Sequence, residues 1–138
     1  MNRTDLQAIA ELRAQEAKAL LTAGLRDGAY YLLGYAVECA LKSCIAKQIL
    51  EHDFPDKRLI VDSHTHDLTR LLNLAGLKPK LDEATVTRPG LEVNWTVAKD
   101  WSEASRYQRG VPEKTVLDLF SAVLDEPDGV LPWLKTWW

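Results

Sequence analysis

Glu38 and Lys42, four residues apart, interrupt a segment from Asp27 to about Leu50 that is otherwise apolar on nearly every side. Charges set among apolar side chains are retained only when paired or put to use. Two readings of this pair are open. Glu followed four residues later by Lys is the favourable order for an ion pair on a helix, worth about 0.2–0.5 kcal/mol. Alternatively, with Tyr31 and Tyr35 on neighbouring turns, the pair lines a ligand site. Histidine is the side chain whose ordinary ionisation falls nearest neutrality, so His64 or His66 could act as general acid or base on a ribose or phosphate. The plainer reading of His66-Asp67 is the start of a helix, where a carboxylate contributes roughly 0.3–1 kcal/mol. Arg106 and Arg109 offer planar guanidinium forks that match phosphate oxygens, and Trp101 and Tyr107 offer faces for a base to stack on. The alternative there is an arginine lying over surface aromatic rings, worth about 0.5–1 kcal/mol.

Composition narrows what these residues can serve. The 138 residues suit one domain that buries roughly two-thirds of the surface its unfolded chain exposes. The formal net charge of −3 excludes a molecule that binds nucleic acid by overall basicity, so any such contact must be local. The two cysteines, Cys39 and Cys44, sit five positions apart on a helical segment, point in different directions and read as reduced core residues. The three histidines form no zinc-like arrangement with them, so neither a metal nor a cofactor is expected. No glycine-rich phosphate loop, serine nucleophile motif or paired-carboxylate constellation occurs. The N-terminal residues lack a signal-peptide pattern and no window approaches the roughly 20 apolar residues that span a bilayer, which makes the cytoplasm the expected location.

The elements that must position these side chains read as helices throughout. Thr4 or Asp5 is expected to cap a first amphipathic helix carrying Leu6, Ile9, Leu12, Ala17, Leu20 and Leu21 and ending near Gly24. The second, Asp27 to about Leu50, is apolar on so many faces that it belongs at the centre of a bundle or in a subunit interface. Pro55 in His52-Asp53-Phe54-Pro55-Asp56 breaks it, and a loop is expected to follow. Ser63 or Thr65 would cap a third helix with Asp67 in its first turn, Leu68, Leu71 and Leu72 along one face, and Gly76 at its end. Residues 77–90, with Pro79 and Pro89, read as a connection with at most one helical turn. A fourth helix is expected over Leu91 to Ser102, and a fifth over Pro112 to Leu124 with Pro112 at its first position. A short helix would then dock Trp133, Trp137 and Trp138. Three large aromatics so close together exceed what one short helix easily buries, which suggests that this cluster or the central helix is covered by another subunit.

The run Asp27-Gly28-Ala29-Tyr30-Tyr31-Leu32-Leu33-Gly34-Tyr35-Ala36-Val37-Glu38-Cys39-Ala40-Leu41-Lys42 resembles the central helix of HEPN domains, helical proteins of prokaryotic type. Thr65-His66-Asp67-Leu68, Trp101 and Arg106-Tyr107 follow in the order that family implies. The resemblance implies one all-α domain over 1–138, an up-and-down bundle of four to five helices with a short C-terminal helix. It also implies a homodimer that binds a nucleotide or RNA, often beside a nucleotidyltransferase or an antitoxin. Arg106, Tyr107 and Trp101, with Glu38, Lys42, His66, Tyr31 and Tyr35, are then the expected binding residues. HEPN ribonucleases resemble one another in an Arg followed four to six residues later by His, and Arg58 to His64 matches that spacing. A metal-independent ribonuclease using Arg58 and His64 is therefore an alternative, although Leu59 stands where a polar residue is usual and the segment reads as loop. A purely structural dimerisation module is a third.

Overall fold

A computed structural model describes residues 1–49 and 53–138. Among them the chain is all-helical: α1 (Arg3–Thr22), α2 (Arg26–Lys47), α3 (Lys57–Asp62), α4 (Leu68–Leu74), α5 (Lys78–Thr87), α6 (Pro89–Ala98), a 3-10 helix (Glu103–Tyr107), α7 (Glu113–Leu124) and α8 (Val130–Lys135). The all-α bundle expected from the sequence is present. Its eight α-helices exceed the expected four to five because two segments read as unstructured are helical.

The helix α2 is the central post. It packs against α1, α4, α7, α8 and the 3-10 helix, and Leu33, Val37, Leu41 and Ile45 are buried in one continuous core. Each such side chain, fully withdrawn from water, stabilises the fold by roughly 1.5–3 kcal/mol. Small residues let α1 approach closely: Ala10, Ala14 and Ala17 are buried on α1, and a Cβ at Gly28 of α2 would come within 3.1 Å of Leu20. Gly24 makes the turn between them at φ +78°, a backbone conformation that costs glycine least.

Helix ends depart from the expected residues for identifiable reasons. Asn2, not Thr4 or Asp5, caps α1: Asn2 Oδ1 accepts the Asp5 N–H and Asp5 accepts the Asn2 N–H, both at 2.9 Å. This reciprocal box satisfies two end donors at once. Asp67, not Ser63 or Thr65, caps α4, accepting the Arg70 N–H at 2.9 Å. Pro112 is the cap of α7 rather than its first residue. Asp56 caps α3 where a loop was expected, and α3 buries none of its side chains. The expected end of α2 near Leu50, and His52 of the expected break, lie outside the described residues.

The largest correction is α5, a ten-residue helix in the stretch read as a connection. Pro79 lies in its first turn, where a missing N–H leaves no hydrogen bond unmade, so this proline starts a helix instead of breaking one. Arg88, ahead of Pro89, leaves helical geometry (φ −128°, ψ 73°) and separates α5 from α6. The helix expected over Leu91–Ser102 accordingly begins at Pro89 and ends at Ala98.

At the C-terminal end Trp133 is buried, while Trp137 and Trp138 keep part of their surface. Trp137 meets Trp133 edge-on at 6.4 Å, and Lys80 and Lys135 lie over Trp137 and Trp138 at 5.3 and 5.6 Å. Among the described residues no helix is long and apolar enough to cross a membrane.

Candidate functional site

One stripe of α2 carries Tyr31, Tyr35, Glu38 and Lys42, at the four- and three-residue steps that align side chains on a helix face. Tyr31 and Tyr35 stack with centroids 6.0 Å apart and planes 7° from parallel. Glu38 is 2% exposed, and Lys42 Nζ lies 2.9 Å from its Oε1. The ion pair foreseen at this spacing is therefore made. It is not the whole of the arrangement.

The same Glu38 Oε1 lies 2.9 Å from Nδ1 of His66, just ahead of the α4 cap, and His66 Nε2 lies 2.9 Å from Oε2 of Glu103, on the 3-10 helix. Three segments thus meet through one imidazole. The Nδ1 contact has hydrogen-bond geometry, whereas the Nε2 contact is a close approach of imidazole and carboxylate that is an ion pair only when the ring is protonated.

A cleft of about 250 Å³ opens beside this chain, lined in part by Thr65, His66, Lys99, Trp101, Ser102 and Glu103. Trp101 is its wall rather than a stacking platform. It is 3% exposed, its indole packs on Gly34 so closely that a Cβ there would lie 2.0 Å from Cδ2, and Tyr31 sits 6.0 Å from it. The Trp101 Nε1 is buried without a hydrogen-bond partner among the described residues.

Arg106 and Tyr107 sit on the same short 3-10 helix as Glu103. Arg106 falls three residues after Glu103 on that helix, one 3-10 turn along, and is exposed beside the cleft rather than among its lining residues. Its guanidinium lies 5.1 Å from the centre of the Tyr107 ring, and Tyr107 is 78% exposed. The surface cation–π pair foreseen as an alternative is thus present, and it leaves both groups open to a ligand. Arg109 lines a different hollow, with Tyr30, Val111 and Thr115.

Arg58 and His64 are not part of this assembly. Arg58 lies on α3 rather than in a loop, its side chain is 90% exposed, and its Nε is 3.9 Å from Asp62 Oδ2. His64 follows the C-terminal end of α3, and neither residue lines the His66 cleft.

Sequence reasoning missed Glu103 and Lys99. Glu103 had a usable signal: Ser102 ahead of an acidic residue is a helix-start signature, and Ser102 Oγ does accept the Ala104 N–H at 3.2 Å. Nothing in the sequence marks Lys99, which enters the cleft only because α6 packs where it does. The cysteines are free and buried, as the core reading has it: burial, and then the nearby Glu38 charge, push the Cys39 thiol up to about 11, and burial takes Cys44 to about 11. Burial first, then Cys39, raises the Tyr35 hydroxyl above its usual range. Among the described residues no group of three or more His, Cys, Asp or Glu side chains could hold a metal ion. No family model, curated protein or solved structure matches the chain.

Proposed function

We propose that this chain is a HEPN-like module that binds a nucleotide or an RNA phosphate at the His66 cleft, as a homodimer acting with a nucleotidyltransferase or antitoxin partner. The observation that carries the binding reading is the convergence of Glu38, Lys42, His66 and Glu103, from three segments distant in sequence, beside a cleft that also holds Lys99. A helix as apolar as α2 needs no such cluster for its stability. Replacing buried ion pairs with well-packed apolar groups is often neutral or stabilising, so the cluster is better explained by use. Arg106, exposed one 3-10 turn beyond Glu103, supplies a phosphate fork, and Tyr107 supplies a free aromatic face. The expected roles of Tyr31, Tyr35 and Trp101 become the packing that sets the α2 stripe and the cleft wall.

The test is fluorescence anisotropy of a labelled single-stranded RNA pool, with adenosine monophosphate as competitor. Charge-assisted hydrogen bonds contribute about 1.5–3 kcal/mol, so Arg106→Ala should weaken binding roughly tenfold or more. It should also flatten the dependence of log affinity on log salt by about 0.7. Unchanged affinity and salt slope would overturn the reading. Metal-free cleavage of the RNA pool that disappears in Arg58→Ala/His64→Ala would replace it with the ribonuclease.

A further inference from the structure

The two carboxylates that grip His66 are not equivalent. Glu38 side-chain exposure is 3% and Lys42 holds the same oxygen, whereas Glu103 keeps 40% and has His66 as its one charged partner among the described residues. Glu103 therefore lies on the solvent side of the ring, at Nε2. When the ring is protonated, that nitrogen carries the N–H a phosphate oxygen entering the cleft would meet. The surrounding charges matter as much as the geometry. With the ring protonated, Lys42, Lys99, Arg106 and His66 exceed Glu38, Asp67 and Glu103 by one charge, and Glu103 is the anion held against the exposed nitrogen. Turning this one partly exposed side chain outward frees the Nε2 N–H and leaves the cluster two positive charges in excess.

We infer that Glu103 is an internal counter-anion, which occupies the phosphate position on His66 in the free protein and is displaced when a phosphate binds. The inference rests on the phosphate-binding reading of the cleft and assigns Glu103 the role of setting affinity there. With the ring protonated, displacement exchanges one anion for another at the same N–H, so no covalent bond is made or broken. Glu103 would then lower the affinity for weak anions and leave the site to ligands that also engage Arg106 and Lys99. A latch that merely ties the 3-10 helix to the bundle behaves in the opposite way, since losing it would loosen the cleft.

The experiment titrates inorganic phosphate, and then adenosine monophosphate, into the wild-type chain, Glu103→Ala, Glu103→Gln and Arg106→Ala by calorimetry, with the His66 ring nitrogens followed by NMR. Exposed charge pairs are modest, so Glu103→Ala should bind phosphate about threefold to tenfold more tightly, with Glu103→Gln between it and wild type. Phosphate added to the wild type should move the Nε2 signal toward its position in Glu103→Ala. Equal or weaker binding by both Glu103 variants, with Arg106 still required, would overturn the counter-anion and leave the phosphate site standing. Binding by the Glu103 variants alone would support both. Failure of all four proteins to bind either probe would overturn both. Glu103→Gln, nearly identical in shape, keeps the test sound if the alanine variant folds poorly.

Discussion

Two carboxylates of α2, Asp27 near its start and Glu38 past its middle, each hold a distant segment of the chain, and they do so with opposite kinds of partner. Asp27 accepts the backbone N–H groups of Gly110 and Val111 at 3.0 and 2.8 Å. Glu38 takes an ammonium and an imidazole, and the imidazole goes on to a second carboxylate. Backbone donors cannot titrate, swing away or be replaced by a ligand, so the Asp27 contact is an anchor. Side-chain donors can do all three. The difference separates a carboxylate that fastens the fold from one that holds a reactive group in readiness, on a single helix and without any difference in residue chemistry.

Gly34 lies between these two carboxylates on α2, under the Trp101 ring, and Gly34→Ala is the strongest way to break both ends together. The added methyl gains up to about 1 kcal/mol of helix propensity. It also drives a Cβ to 2.0 Å from the indole, and overpacking of that kind costs about 1–3 kcal/mol or more. Urea unfolding should show a net loss of about 2 kcal/mol, together with lost NMR dispersion at His66 and Gly110. A variant as stable as wild type would mean that the Trp101 segment is not clamped by α2.

Glu38→Ala acts on one end only. Lys42 and His66 are partly exposed and regain water, so the stability cost should be about 1–2 kcal/mol, while the His66 ring loses its fixed orientation and phosphate binding falls with it. A loss of stability with unchanged His66 signals and unchanged binding would reduce the cluster to a structural ion pair.

Asp27→Asn is the mildest of the three, and its signature is its pH dependence. The N–H groups of Val111 and then Gly110 hold the Asp27 carboxyl below its ordinary value of 3.8. A carboxyl whose folded value is depressed contributes stability that is fully present above its unfolded value and is lost as pH falls through the folded one. The gap in melting temperature between wild type and Asp27→Asn should therefore be constant near neutrality and close below about pH 4. Phosphate affinity near neutrality should be the same in both. A change in affinity would show that the anchor and the cluster are not independent.

Much of the architecture could be read without coordinates, and the misses have a common origin. Apolar periodicity identified α1, α2, α4 and α7, because burying one helical face imposes a repeat that survives in the residue order. The helix α5 was lost because Pro79 and Pro89 carry the same letter whether they break a helix or begin one. Caps moved by two to four positions, Thr4 or Asp5 giving way to Asn2 and Ser63 or Thr65 to Asp67, since several residues in each stretch can accept the same N–H and local geometry chooses among them.

By itself the sequence determined that the chain is helical and that α2 is apolar on most faces, and it offered the Glu38–Lys42 ion pair as one of two readings, all of which follow from interactions within a few turns of one helix. Only the tertiary structure decided that His66 stands between Glu38 and Glu103, that Trp101 lies flat on Gly34, and that Lys99 shares their cleft. Those contacts join segments whose separation along the chain carries no periodic signal, and they exist because the 3-10 helix, α4 and α6 are folded around α2.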